Sequence, residues 1–533
     1  MRNRHDTTRL VSRPSQPAVG SLSPAAATRV GAQPRDALRS RAVSTVAPRT
    51  IVRPALGIVA ALLLARVWFI GHRALDLDEF EHVHAAWSVA QGLLPYRDFF
   101  EHHPPALYFL VAPLFGAAGI ESDPDVAFHA LAAARLVMWL FTVAIVVLVY
   151  RLGALVSNRT GGAIAAALLA TSSQFLDSTL EIRPDVAAVL CVLAAVWYLS
   201  REEYCDGPPR ASACAAAGAA YGLSLLFTQK ALFAAPGLAL ALMHGDRRVE
   251  RAGLFATSAL LPLAAAASWF GARGALLPLW HNTVMITGRL NADGFPPLPR
   301  LASNVLQQPA IYALGVAALV VRLRTRQPSA APRAIPYTTL SLLAGVFVIG
   351  RAYDQYYALL LPLLAVLGGA LVGGLEAELA QRHLRAFAAA LIIAAAELSA
   401  YNYSRTFRPI GPQIDAMSWV MQHTAPRDAY LGGSPDAALF RPHAWFYFFL
   451  TGAFAADSDY RALESALESG AMRPQLVVMD RYFRQRAPAE LLAYVNAHFR
   501  RANGELYLRQ SENGRSTLNT SDASERFDRP FTR

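Results

Sequence analysis

Apolar residues along the chain lie in long continuous blocks instead of alternating with polar ones. In lipid only helices and closed barrels satisfy the backbone, and continuous blocks are typical of helices, not of barrel strands. The blocks are 54–71, 130–150, 162–176, 184–200, 211–228, 231–244, 252–270, 307–321, 336–349, 357–374 and 385–400. The pattern therefore predicts an all-α polytopic membrane protein with about eleven transmembrane helices over residues 54–400.

The pattern changes after the last block. Strand-like runs such as DAYLGG and QLVVMD alternate with helical runs over residues 401–510, which predicts a small soluble α/β domain. The two ends, 1–53 and 511–533, are polar and lack apolar periodicity. We expect both to be disordered tails.

Composition agrees with a membrane protein, since 54% of residues are hydrophobic and only 16% are charged. The net charge of +11 does not indicate nucleic-acid binding, because ten arginines lie in residues 1–53 and others lie in short loops between the blocks. Arginine placed this way favours a cytoplasmic N-terminus. It puts the acidic loop 72–129 and the C-terminal domain on the outer face, which we expect to be that of a bacterial inner membrane.

The loop 72–129 concentrates carboxylates and histidines at the membrane boundary. Asp78 and Glu79 follow the first block, and a helical segment would place His82 on the same face as both. Such a site suits a general base, because partial burial raises a carboxyl pKa toward the operating pH. The alternative is a solvated interfacial turn.

A second polar group follows in the same loop, at the phrase EHHPP. Two prolines fix the backbone, so the side chains that precede them are held in place. Glu101 and His102 could ligate a divalent metal ion, although their spacing matches no standard zinc signature. Proton transfer, or hydrogen bonding of His102 and His103 to a sugar or phosphate, is equally open.

Further polar residues are predicted on the same face. Asp177 and Asp185 flank the start of a later block, where Asp185 could instead serve the helix N-terminus. Lys230 is the only lysine of the chain and suits a phosphate, although an interfacial lysine that reaches toward water is the alternative. An outward-facing set that fits an anionic substrate comprises Arg289, Arg351 and Tyr356.

In combination these residues resemble the polyprenyl-phosphate-dependent membrane glycosyltransferases of the GT-C superfamily, in the branch of protein O-mannosyltransferases and lipid A aminoarabinose transferases. The resemblance covers about residues 54–400. It rests on the Asp78-Glu79 pair, the phrase GLLPYRDFF with Tyr96 and Arg97, the His-Pro-Pro turn, Pro184-Asp185, Thr228-x-Lys230 and the phrase RAYDQYYALLLP.

The resemblance implies a role for most of these residues. Asp78 is the expected base with Glu79 beside it, Asp185 or Asp177 is the second acid, and Lys230 holds the lipid phosphate. His82, Tyr96, Arg97, His102 and His103 are the expected substrate-binding residues of the loop. This chain has His102-His103 where aminoarabinose transferases have an acid and a lysine before two prolines, so the acceptor and any metal stay open.

The sequence thus predicts an inverting glycosyltransferase that uses a polyprenyl-phosphate sugar donor and a glycolipid or polysaccharide acceptor. Its partners would be these substrates and membrane lipid, not nucleic acid. Two alternatives are a transporter or flippase and a non-catalytic scaffold for envelope-polymer assembly. A transporter needs charged residues near the bilayer midplane, whereas here the acids cluster at one face.

Overall fold

The computed structural model describes residues 49–206, 209–288, 296–324, 332–349, 353–375, 381–452 and 454–510. The predicted tails therefore lie almost wholly outside the described residues. The α-helices are α1 Arg49–Ile70, α2 Leu77–Ala90, α3 Ala106–Phe115, α4 Pro124–Val156, α5 Arg159–Ala170, α6 Ser173–Leu180, α7 Pro184–Asp206, α8 Ala211–Phe227, α9 Ala235–Leu242, α10 Arg248–Gly271, α11 Leu276–Trp280, α12 Pro297–Gln307, α13 Pro309–Arg324, α14 Ala334–Val348, α15 Leu361–Gly374, α16 Gln381–Thr406, α17 Gly411–His423, α18 Asp457–Glu468, α19 Arg481–Arg486 and α20 Ala489–His498.

Each of the eleven apolar blocks is helical, although blocks 162–176 and 307–321 are each divided between two helices, and the chain is a multi-pass membrane protein. Among the described residues, five helices are long and apolar enough to cross a bilayer: α1, α4, α10, α16 and the Pro184–Glu203 part of α7. Helices α12 and α13 form a further pair, bent by 108°. The other apolar helices are shorter than a full crossing requires, so the number of crossings stays a prediction.

Glycine allows two of the apolar helices to touch closely. Gly218 and Gly222 lie one turn apart on α8 and face α10. A Cβ atom at Gly222 would lie 2.1 Å from the carbonyl oxygen of Ala259. Small residues at this spacing let two backbones approach, which is how helices associate where lipid removes the hydrophobic driving force.

The predicted C-terminal α/β region is confirmed. It contains a four-stranded sheet of β1 Tyr430–Gly432, β2 Leu476–Val478, β3 Phe499–Asn503 and β4 Leu506–Arg509, in the order β1-β2-β4-β3. Strand β1 pairs in parallel with β2, and the other two pairs are antiparallel. Leu463, Phe483 and Leu491 from the surrounding helices are buried with Val477 in its core.

This C-terminal region is joined directly to the loop between α1 and α4. The backbone N–H of Phe100 donates to the Phe446 carbonyl at 2.9 Å, and the Gln413 side chain bonds both backbone groups of Leu75 at 2.7 and 3.0 Å. The rings of His84 and His443 are hydrogen-bonded at 2.9 Å. Contacts with residues far along the chain therefore hold the acidic loop in place.

Candidate active site

The first turn of α2 positions the Asp-Glu pair. Asp76 is the N-cap and accepts a hydrogen bond from the Asp78 N–H, while Glu79 accepts one from the Asp76 N–H, which makes a capping box. Consecutive helical residues point about 100° apart, so Asp78 and Glu79 face different surroundings.

Glu79 points into the protein. Its carboxylate is fully buried and accepts two hydrogen bonds from the Arg135 guanidinium, at 2.9 and 2.7 Å, and one from the Ile182 N–H at 3.1 Å. Arg135 is also buried and donates to three backbone carbonyls before α2. Glu79 therefore fixes the loop that carries Asp78, and it is not exposed to solvent.

Asp78 is partly exposed, with 30% of its side chain accessible to solvent. Arg183 contacts one of its oxygens at 2.6 Å and also holds Asp76 at 2.6 Å and Glu181. Burial alone would raise the pKa of Asp78, but the guanidinium of Arg183 reverses this effect and lowers it. The structure thus differs from the expected raised pKa, because the sequence did not reveal the arginine that contacts this carboxylate.

Four side chains of the same loop converge beside Asp78. The ligand atoms of Glu81, Glu101, His102 and His103 all lie within 4.8 Å of one another. Nδ1 of His102 is 3.2 Å from Glu81, and Nδ1 of His103 is 3.0 Å from Glu101. Oε2 of Glu101 is buried without a hydrogen-bond partner among the described residues. Two carboxylates and two imidazoles suit a divalent ion such as zinc, so these residues fit a metal centre that contains the two predicted ligands.

Burial controls protonation in this cluster. It lowers the pKa of His102 and, together with the neighbouring His102 and His82 rings, it lowers that of His103 well below the usual value. Burial and the Glu101 carboxylate raise the pKa of Glu81 well above its usual value. The histidines are therefore neutral, and a neutral imidazole is the form that binds a metal.

His82 and Tyr96 support this cluster from two sides. His82 donates from Nδ1 to the Ile182 carbonyl at 2.9 Å, and its ring lies 5.1 Å from that of His103. The Tyr96 hydroxyl donates to the His103 carbonyl at 2.7 Å, and the Tyr96 backbone has a φ of 71°. A residue other than glycine rarely adopts this conformation, so the surrounding loop must impose it. Arg97 instead pairs with Asp98 at the surface, at 2.7 Å.

The only lysine lies at a second edge of the site. Lys230 Nζ is 2.8 Å from Asp185 and 4.1 Å from the centre of the Tyr356 ring, and 12% of the lysine side chain is exposed. Asp185 is 4% exposed. Asp185 therefore orients the lysine and is itself buried.

The remaining predicted residues fall elsewhere. Asp177 lies 3.8 Å from Arg73, with 29% of its side chain exposed. Arg289 and Arg351 lie outside the described residues. Sequence reasoning did not select Arg135 or Glu81 as site residues. It grouped Arg183 with Asp177 and Asp185 but did not predict its contact with Asp78. A single arginine inside the apolar stretch of α4 was a usable signal for Arg135, because a charge there needs a buried partner.

Comparisons with known proteins agree with this architecture. A family model described as dolichyl-phosphate-mannose-protein mannosyltransferase matches residues 126–270. The apo structure of ArnT from Cupriavidus metallidurans is similar with a TM-score of 0.57 and 12% identity, covering 85% of this chain and 97% of that one. No curated protein matches.

Oligosaccharyltransferases of Archaeoglobus fulgidus share the fold as well. The structure in complex with Zn and sulfate has a TM-score of 0.53 and 13% identity, covering 84% of this chain and 71% of that one. AglB in complex with an inhibitory peptide and a dolichol-phosphate has a TM-score of 0.51 and 13% identity, covering 87% and 75%. The resemblance found in the sequence is confirmed: this chain has the fold of the GT-C superfamily of membrane glycosyltransferases.

Proposed function

We propose that this protein transfers a monosaccharide from a polyprenyl-phosphate donor to a glycolipid or polysaccharide acceptor of the cell envelope, with inversion at the anomeric carbon. The observation that carries the proposal is the Asp78 carboxylate. Its side chain is 30% exposed, whereas Glu79, Glu81 and Glu101 are buried. Asp76, which Arg183 also holds, is 40% exposed and serves as the N-cap of α2. An inverting transfer needs one such carboxylate beside the acceptor hydroxyl.

In the proposed reaction, the acceptor hydroxyl attacks the anomeric carbon and gives its proton to Asp78. The bond from that carbon to the phosphate oxygen breaks, and the polyprenyl phosphate leaves with the electron pair. Arg183 keeps Asp78 ionised, which makes it a weak base. The proton therefore moves late, when the attacking oxygen has become acidic by bonding to carbon. Most of the catalysis then comes from positioning and from stabilising the leaving charge.

Two groups suit the departing phosphate. Lys230 is oriented by Asp185 and partly exposed, so its ammonium can pair with a phosphate oxygen. A divalent ion held by Glu81, Glu101, His102 and His103 would act as a Lewis acid on the same charge. The deposition of sugar on the outer face of a bacterial inner membrane is part of the proposal and rests on the arginine-rich N-terminal tail.

The test is transfer of radiolabelled sugar in membrane vesicles from a panel of polyprenyl-phosphate donors. Asp78→Asn should abolish transfer without lowering the amount of protein in the membrane. Asp125→Asn is the control, because Asp125 is an exposed acid in the first turn of α4. Equal transfer by Asp78→Asn and wild type would refute the assignment of the base. A scaffold for envelope assembly would tolerate both substitutions.

A further inference from the structure

An arginine is buried inside the first apolar helix without enough partners. Arg66 lies in the last turns of α1 and is 3% exposed. Its Nη1 donates to the Thr179 hydroxyl at 3.2 Å, and its guanidinium lies 5.6 Å from the centre of the Phe175 ring. Nε and Nη2 are buried and have no hydrogen-bond partner in the described part of the chain. A charge in an apolar span is costly unless an anion or polar groups meet it.

Other unsatisfied donors lie around Arg66. The Nη1 atom of Arg73 and the hydroxyl of Tyr403 are buried, and neither has a hydrogen-bond partner within the described ranges. The Tyr403 ring packs on Phe69, one turn from Arg66. Asp177 is the acid of this group; its carboxylate lies 3.8 Å from Arg73 and is 29% exposed. Helices α1, α6 and α16 therefore bring these buried donors, unpaired among the described residues, together beside one partly exposed acid.

This group is separate from the lysine edge of the active site. Arg73 pairs with Glu181 at 2.7 Å, Glu181 also contacts Arg183, and Arg183 contacts Asp78. Lys230 instead pairs with Asp185. Arg73 and Lys230 thus belong to different sets of ion pairs, and only the set of Arg73 includes Asp78.

We propose that Arg66, Arg73 and Tyr403 form a second anion subsite, which holds a phosphate or carboxylate group of the acceptor. The assignment of this anion to the acceptor rests on the function proposed above. Lys230 is the group assigned to the donor phosphate, so a second anion site, linked to Asp78 through Glu181 and Arg183, is left for the other substrate. Planar guanidinium groups match the oxygens of phosphate and carboxylate, and a hydroxyl adds one further donor.

The subsite predicts that the acceptor carries a negative charge close to the hydroxyl that receives the sugar. A neutral polysaccharide would leave Nε and Nη2 of Arg66 and Nη1 of Arg73 without partners when bound. A phosphorylated glycolipid or an acidic polysaccharide would satisfy them. Buried donors that lose their partners reject a ligand strongly, so the subsite would also select against neutral acceptors.

The experiment measures anion binding by the full-length protein in uncharged detergent. The probe is inorganic phosphate, and the readout is the rise of the thermal unfolding midpoint relative to chloride of equal ionic strength. All variants carry Lys230→Ala, so that binding at the donor position is removed. Tyr403→Phe is then compared with Tyr221→Phe, a control that also removes a buried hydroxyl with no partner in the described part of the chain.

Saturable phosphate binding should persist in Lys230→Ala alone. Tyr403→Phe should raise its dissociation constant about tenfold, which corresponds to ~1.4 kcal/mol, and Tyr221→Phe should leave it unchanged. Because the Tyr403 hydroxyl bonds nothing in the described protein, a purely structural role predicts no change in binding. Arg66→Gln should abolish binding, and Tyr403→Phe keeps the test valid if Arg66→Gln does not fold.

Two results would overturn the proposal: no saturable binding in Lys230→Ala, or binding that Tyr403→Phe leaves unchanged. Competition by short-chain phosphatidic acid would indicate a lipid-borne anion, while binding of inorganic phosphate alone would indicate a soluble phosphorylated acceptor. Phosphate binding does not require sugar transfer. If the subsite is found but no donor in the panel transfers sugar, the proposed function fails and the anion subsite stands.

Discussion

Removing the charge of Glu79 should destabilise the protein strongly, because this carboxylate is fully buried. Glu79→Gln keeps the side-chain volume. The carboxylate of Glu79 that it replaces accepts four hydrogen bonds, two from Arg135 and one each from the N–H groups of Asp76 and Ile182. The amide NH₂ group of glutamine is itself a donor, so it would face some of these N–H groups without forming a hydrogen bond. It also leaves the Arg135 charge unpaired in a site where both side chains are 0–1% exposed.

The expected cost follows from that burial. Breaking a buried ion pair by removing one partner costs about 3–5 kcal/mol, because the remaining charge stays buried. The control is Glu250→Gln, since Glu250 pairs with Arg247 at 2.7 Å but the two side chains are 58% and 75% exposed. An exposed pair of this kind contributes at most about 1 kcal/mol.

The assay is unfolding of the purified protein in mixed micelles of mild detergent and increasing dodecyl sulfate. A double-mutant cycle with Arg135→Gln extends it, because residues in direct contact should show a coupling energy of about 0.5–3 kcal/mol. A loss of stability in Glu79→Gln no larger than that in Glu250→Gln would refute the reasoning. The reasoning would also be refuted if the loss of stability in the double variant equalled the sum of the losses in Glu79→Gln and Arg135→Gln.

Two further predictions concern other parts of the same assembly. Burial lowers the pKa of His443 to about 4, so this histidine contributes stability that is full above its unfolded pKa near 6.5 and is lost as the pH falls toward 4. The loss in free energy of unfolding should reach about 3 kcal/mol, and the His443→Phe variant should lose less stability than wild type over that range. Equal pH profiles of the two proteins would contradict the prediction. Protein purified with Zn²⁺ and dialysed should retain about one ion per chain by elemental analysis. His103→Ala should lose this ion, whereas the control His498→Ala, on the C-terminal surface, should keep it. An unchanged zinc content in His103→Ala would contradict the proposed ligands.

The positions of the helices could be predicted from the sequence because each block reports its own environment. A run of apolar residues must lie in lipid or in a core whatever surrounds it, and all eleven blocks are helical. The lengths of the helices were less predictable. The block 357–374 begins with a 3₁₀ segment, Asp354–Leu359, before α15, since proline at position 362 favours a helix start there.

Residues of the candidate site could be selected from the sequence both within one loop and at Asp185 and Lys230, which pair across 45 residues. Asp78, Glu101 and His102 lie in one loop, and the sequence indicated their chemistry. The surroundings of each carboxylate could not be predicted, because they depend on Arg183 and Arg135, which lie 105 and 56 residues from their partners Asp78 and Glu79. Two adjacent acids thus have unlike environments, for reasons that only the folded chain supplies.

The contact between the first loop and the C-terminal region has a consequence for biosynthesis. The ring of His84 bonds the carbonyl of Leu439 and the ring of His443, which lie 355 and 359 residues later. A ribosome that adds 5–20 residues per second needs roughly 20–70 s to cover that interval. The loop that carries Asp78 is therefore made early and completed late. A nascent chain stalled before residue 439 would have its hydrophobic helices but not the contacts that order its acidic loop.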